Sequence, residues 1–286
     1  MGATAGRTTL PGEGLQHQDG HSHVLASTVP SCQTFDPAFA YELAAIVDDG
    51  LQRMYGHADP ADNEDIFYYV TVYNETYEMP SRPDNLSPAE IVAGLYHWAD
   101  ASDCPLGASV VFSGPAHRAA REAAVELAQR WGVGVDLWSA TSYKRLREDA
   151  LAVDRYNRLH PGEQPRIPLV TSLLGDGDEP VVAVTDYMTL VPDQVSRWVS
   201  RPFRSLGTDG FGRSDTRSGL RRFFEVDAGH VVVAVLAALV EAGDVEPSVV
   251  AEAIDLYGID SEAPDPGSYD TGPAPGHRVG HSTSLE

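Results

Sequence analysis

The order of residues predicts an α/β chain built on a mainly parallel sheet covered by helices. Three observations carry this. Short β-branched runs alternate with helical stretches from about residue 106 to residue 260. Residues 65–73 are β-branched and aromatic without a polar face, as in a strand covered on both sides. Three prolines between Met79 and Pro88 mark a connector between two units.

Residues 1–34 read as largely irregular, rich in glycine and histidine. Asp36-Pro37 predicts a helix start, with Asp36 as cap and proline in the first turn. Phe39, Leu43, Ile46, Val47, Leu51 and Met54 then recur at helical spacing. After the connector, Ser87 caps a short helix over 88–98. Strands are expected at 108–113, 134–139, 180–186 and 203–206. Helices are expected at 115–131, 143–158, 193–198, 216–224, 229–242 and 247–257. In such sheets function gathers at the loops beyond the strand carboxyl ends. After Asp260 the composition turns to Ser, Pro, Gly, Asp and His, so residues 261–286 read as a disordered tail.

The chain of 286 residues is 42% hydrophobic and 22% charged, as in a globular protein. A net charge of -22 argues against nucleic acid, which needs a cationic face. No run approaches the roughly 20 apolar residues of a membrane span; the longest, 231–240, reads as a buried helix. Two cysteines, Cys32 and Cys104, suggest no disulfide framework, and the first residues lack signal-peptide features, so a cytoplasmic location is expected.

Three of the ten histidines fall at positions 17, 21 and 23, bracketed by glycines that disfavour a regular helix. Imidazoles at this spacing can bind zinc, move protons, hold a substrate or face solvent. No cysteine or third-ligand motif supports a metal. The second candidate is the loop carrying Asp209, Arg213, Asp215 and Arg217 among Gly207, Gly210 and Gly212, where arginines can meet a carboxylate or pair internally at an interface. Tyr68, Tyr69 and Tyr73 read as core rather than as part of a site.

The segment Ala5-Gly6-Arg7-Thr8-Thr9-Leu10-Pro11-Gly12-Glu13-Gly14-Leu15-Gln16-His17-Gln18-Asp19-Gly20-His21-Ser22-His23 resembles a stretch of the single-chain, homodimeric pyruvate dehydrogenase, the thiamine-diphosphate-dependent first component of its complex. So do Tyr68-Tyr69-Val70-Thr71-Val72-Tyr73-Asn74-Glu75, Asp186-Tyr187-Met188 and Leu206-Gly207-Thr208-Asp209-Gly210-Phe211-Gly212-Arg213-Ser214-Asp215-Thr216-Arg217. The resemblance runs almost unbroken from Gly2 to about Asp260. It implies an incomplete transketolase-like pyrimidine-binding domain over 1–80, a linker with a short helix over 81–105, and a transketolase C-terminal-like domain over 106–260.

By that resemblance His23 stands where the superfamily has its active-site histidine, with His21 and His17 as weaker candidates. Imidazoles there would hydrogen-bond an oxygen that gains and loses charge during decarboxylation and would shuttle its proton. The family's diphosphate- and magnesium-binding domain and its activating glutamate have no counterpart here. Gly175-Asp176-Gly177 imitates the diphosphate motif, but that motif needs a later asparagine as an oxygen ligand, and Asn63, Asn74, Asn85 and Asn157 all precede it.

The resemblance therefore implies a subunit of a split enzyme. A partner polypeptide would supply the first domain and glutamate and would bind most of the thiamine diphosphate and Mg2+. The pair would pass a two-carbon unit from pyruvate, another 2-oxo acid or a ketose phosphate to a lipoyl group or an acyl carrier protein thiol, in a biosynthetic route. The rival from another class is a non-catalytic docking subunit with a vestigial histidine loop; a zinc hydrolase built on the histidines is a weaker third.

Overall fold

The computed structural model describes residues 6–268. Two sheets organise them, a small parallel one and a larger, mainly parallel one. The smaller joins β1 (Cys32–Phe35) to β2 (Phe67–Val70) through helix α2 (Ala40–Tyr55). The register Phe35↔Val70 brings the carboxyl ends of both strands to one level, so the residues that follow them, Asp36 and Thr71, emerge side by side. Against its far side packs a core of Phe35, Ile46, Val70, Leu86, Ile91 and Tyr96.

The larger sheet has five strands in the order β3-β5-β4-β6-β7: β3 (Tyr96–Ala99), β4 (Leu106–Phe112), β5 (Val133–Ser139), β6 (Val181–Val184) and β7 (Phe203–Leu206). All pairings are parallel except β3 with β5. Helices α4 (His117–Glu126), α9 (Ala228–Ala242) and α10 (Pro247–Leu256) cover one face, burying Val110, Phe112, Val182 and Val184 against Val231, Val235 and Leu239. On the other face α5 (Tyr143–Leu159), α6 (Leu169–Leu174) and α7 (Leu190–Asp193) enclose Val111, Val181 and Ala183. The expected helix-covered, mainly parallel sheet is thus observed. The alternation of strand and helix was the reliable signal because the central strands β4, β5 and β6 are largely buried on both faces.

Several local expectations fail for identifiable reasons. The helix expected over 88–98 stops as α3 (Pro88–Ala93), because Gly94 at φ 112 turns the chain out of the helix. Tyr96-His97-Trp98-Ala99 then forms the antiparallel edge strand β3, inside what read as a linker. The strand expected over 65–73 is only Phe67–Val70 and is not covered on both sides, with Phe67 half exposed. Residues 1–34 hold a short helix, α1 (Ser22–Ser27), and the start of β1. Asp36 caps nothing: α2 begins at Ala40 with Phe39 as its cap. The helix expected over 193–198 is α7 followed by a separate turn at Ser196–Trp198.

The stretch Arg217–Ala242 is long and apolar enough to cross a membrane by length and composition, which the sequence reading had excluded. It is divided in the structure. Helix α8 (Arg217–Phe223) ends before Glu225, which has φ 59, and Asp227 caps α9 anew by accepting the amide of His230. Half of its apolar window is buried in the core. Of the expected tail, residues 261–268 are turns, with Pro266 and Gly267 lying against Gly210 and Asp209. Residues 269–286 lie outside the described residues.

Candidate functional site

The three histidines do not converge. His17 is exposed and pairs with Glu13 at 3.6 Å. His21 is exposed at the start of α1, where its ring lies 3.2 Å from the Arg7 guanidinium. His23, the second residue of α1, is buried. The turn itself is set by Asp19, whose Oδ1 accepts the amides of His21 (2.9 Å) and Ser22 (3.0 Å), an Asx-type turn that aims the following side chains.

His23 joins a buried polar network. Its Nε2 is 3.1 Å from Thr71 Oγ1, which is 2.7 Å from Asp36 Oδ1. Asp36 also accepts from the Tyr73 hydroxyl and, at 2.8 Å, from Ser113 Oγ, which in turn meets Thr185 Oγ1 at 2.9 Å. Tyr187 stands edge-on to the imidazole at 4.5 Å between centroids and Tyr69 at 5.7 Å. Burial pulls the His23 imidazole below its ordinary value, against smaller opposing effects of Asp36 and Asp19. A void of about 10 Å³, the room of one water, lies among His23, Asp36, Thr141 and Lys144.

Behind the turn, Arg7 is fully buried. Its guanidinium donates to the Gly210 carbonyl and lies 5.8 Å from the Phe224 ring. Gly20 permits this approach, since a Cβ there would stand 2.2 Å from Arg7 Nε. Thr8 donates its amide (3.2 Å) and hydroxyl (2.6 Å) to buried Asp186, whose carboxyl is pushed up to about 7, chiefly by burial. Three buried polar atoms around the histidine turn have no hydrogen-bond partner among the described residues: Arg7 Nε, Asp19 Oδ2 and Ser22 Oγ. Buried polar atoms are normally paired.

The loop carrying Asp209, Arg213, Asp215 and Arg217 closes over the same segment from the other side. Asp209 accepts the Thr189 amide at 3.3 Å. The Arg213 amide donates to Gln18 Oε1 at 2.9 Å, while its guanidinium stacks 4.1 Å over Phe223. The Asp215 carbonyl takes the Gly12 amide at 2.9 Å, and Arg217 Nε donates to the Thr9 carbonyl at 2.9 Å. The Arg213 amide, the Asp215 carbonyl and Arg217 Nε thus bond to residues 9–18, while Asp209 turns to Thr189. Phe211 remains exposed at 65%.

Sequence reasoning missed Arg7, Asp36, Thr71, Tyr73 and Asp186. Asp36 looked like a cap because Pro37 follows it, and Thr71 and Tyr73 lay in a run that read as core. Gly175-Asp176-Gly177 is an exposed turn after α6, as expected. Elsewhere His97 of β3, Asp100 just beyond it and Asp136 of β5 place ligand-type atoms within 4.8 Å of one another, a set that includes none of the three histidines of the turn.

Residues 1–80 match the family described as the pyruvate dehydrogenase E1 component middle domain, and residues 94–227 match the transketolase-like C-terminal domain. The chain is 50% identical over 268 residues to the pyruvate dehydrogenase E1 component of Pseudomonas aeruginosa, covering 93% of this chain and 30% of that protein. It therefore spans about 30% of the length of the curated relatives it matches. Among solved structures, transketolase from Leishmania mexicana superposes with a TM-score of 0.60 at 18% identity, over 86% of this chain and 31% of that one. A structure titled as a split gene transketolase, inactive beta4 tetramer, superposes with a TM-score of 0.53 at 18% identity, over 83% of this chain and 66% of that one.

Proposed function

We propose, from the match of residues 1–80 to the pyruvate dehydrogenase E1 component middle domain and of residues 94–227 to the transketolase-like C-terminal domain, that the chain forms the histidine-bearing wall of a thiamine-diphosphate site in a two-subunit enzyme. A partner polypeptide contributes the diphosphate and Mg2+ anchor and the activating glutamate. The pair removes a two-carbon unit from pyruvate, another 2-oxo acid or a ketose phosphate and delivers it to a lipoyl group or a carrier-protein thiol in a biosynthetic route.

The observation that carries this reading is the turn at 19–23, which leaves the His21 ring exposed beside the Arg7 guanidinium and seats His23 against Thr71. This donor and acceptor set suits the polar edge of a bound coenzyme and its substrate. When bound, thiamine diphosphate supplies the nucleophilic carbon and the electron sink for decarboxylation. The chain's own part is positional and acid–base. Exposed His21, beside the Arg7 cation, is placed to hydrogen-bond a substrate oxygen or carboxylate. His23 supplies a neutral imidazole near pH 7, able to hold or accept a proton. The rings of Tyr69 and Tyr187 stand edge-on against it.

The partner reading draws support from exposed apolar surface on the smaller unit. Val47, Leu51 and Tyr55 form one stripe along α2, 42%, 53% and 72% exposed, and Phe67 lies open on β2. A two-stranded sheet is marginal by itself, and apolar surface on it favours a covering partner. A split-gene transketolase with this fold, whose tetramer is described as inactive, supplies a precedent of architecture.

The test combines binding with turnover. This chain alone should show neither tight thiamine diphosphate binding by calorimetry nor oxo-acid-dependent reduction of a dye; addition of the partner chain should restore both. In the reconstituted enzyme His23→Ala should lower turnover by about 100-fold or more, in the range of a lost acid–base group. Turnover by the lone chain overturns the two-subunit reading, and unchanged turnover in His23→Ala removes the histidine from the mechanism.

A further inference from the structure

We propose that Thr71, fixed by Asp36, positions His23 as the Nε2–H tautomer, leaving Nδ1 as its basic atom. A threonine hydroxyl has one proton to give. The 2.7 Å separation between Thr71 Oγ1 and Asp36 Oδ1 requires a proton between two oxygens, and the carboxylate has none. The Thr71 proton therefore goes to Asp36. The same oxygen also lies 3.3 Å from the Phe35 carbonyl, which already takes the Thr71 amide at 3.1 Å. Tyr187 also hydrogen-bonds Thr71, and whichever acceptor takes the single proton, Oγ1 faces His23 Nε2 with a lone pair. Nε2, 3.1 Å away, must then carry the hydrogen.

A neutral imidazole has only one N–H, so Nδ1 keeps its lone pair. Burial favours the neutral ring. Asp36 cannot turn away to release Thr71, because Ser113 Oγ and the Tyr73 hydroxyl also donate to it and its own backbone bonds Thr141 and Gly114. Edge contacts from Tyr69 and Tyr187 fix the ring plane. The device follows from the parallel register of β1 and β2, which sets residues 36 and 71 next to each other. Thr71 is thus a positioning residue that acts through His23.

The tautomer assignment stands on this geometry; its effect on turnover rests on the function proposed above. The experiment uses the full chain labelled with 15N-histidine. Long-range 1H–15N correlation spectra should show, for the resonance lost in His23→Gln, a pyridine-like Nδ1 and a pyrrole-like Nε2. Thr71→Ser should keep this pattern, and Thr71→Val should lose it or give mixed tautomers. A wild-type ring protonated on Nδ1 overturns the proposal, as does an unaltered pattern in Thr71→Val. In the reconstituted enzyme Thr71→Val should lower kcat about 10-fold or more with KM within about two-fold, and Thr71→Ser should recover it. A shifted tautomer with unchanged kcat would sustain the positioning and refute the role of His23 in turnover.

Discussion

Arg221 and Glu75 form an ion pair that ties helix α8 of the larger unit to the segment leaving β2 in the smaller one. Glu75 is 6% exposed, Arg221 is 17% exposed, and Arg118 of α4 joins them at 2.7 Å. Removing the carboxylate strands two guanidinium groups. Glu75→Ala should destabilise the chain by about 2–3 kcal/mol, less than the roughly 3–5 of a fully buried pair because Arg118 is open to solvent. Urea denaturation checks this.

A methyl group at residue 20 would occupy the space of the Arg7 guanidinium. Gly20→Ala should cost about 1–3 kcal/mol through overpacking. It should also displace Arg7 from the Gly210 carbonyl and shift the ring signals of His21, which chemical denaturation and histidine NMR would report.

Asp186 has a folded value raised from 3.8 to about 7. In that window the folded chain holds a proton that the unfolded chain has lost, so this contribution to stability is full below pH 3.8 and fades as pH rises through about 7. Asp186→Asn should abolish this fade and be the more stable protein at pH 8, by about 2–4 kcal/mol. Denaturation midpoints of both proteins between pH 4 and 8 decide the matter.

His117 behaves with the opposite sign. It is enclosed by Phe39, Tyr77 and Phe112, and neither ring nitrogen has a partner among the described residues. Burial, aided by Arg121, Arg118 and Arg221, lowers it from 6.5 to about 3. The unfolded chain takes up its proton first, so stability is retained above pH 6.5 and lost as pH falls toward 3. His117→Phe should flatten the acid limb of the same curve without loss at pH 7.

The stripe on α2 gives a prediction about assembly. Leu51→Lys should leave the fold of this chain within about 0.5 kcal/mol, as for an exposed position. Co-purification with the partner chain should be sharply reduced. Pull-down with normal circular dichroism is the readout.

The sequence carried the scaffold and the location of the turn more clearly than its wiring. Buried strands such as Val181–Val184 announce themselves by composition, and Gly94 could have warned that the helix after Ser87 was short. The histidines were visible as a cluster, yet their separate fates depend on contacts far along the chain. His23 meets Thr71 across 48 residues, Thr71 meets Asp36 across 35, and Thr8 meets Asp186 across 178. Local patterning holds no record of such pairs. Asp36 misled because one dipeptide, Asp-Pro, serves equally for a helix start and for a bend leaving a strand. The edge strand β3 hid because Tyr-His-Trp-Ala continues the apolar spacing of α3.

Glu42 sits in the first turn of α2, where it takes the amides of Ala38 (2.5 Å) and Phe39 (3.0 Å), yet it also accepts from Tyr96 (2.6 Å) and Ser139 (2.6 Å) of the larger sheet. One carboxyl group, held above its ordinary range by burial, is therefore common property of both halves. Severing the polypeptide in the proline-rich connector would not yield two free-standing modules, and grafting either half onto a foreign counterpart would require transplanting the tyrosine and serine that greet this side chain.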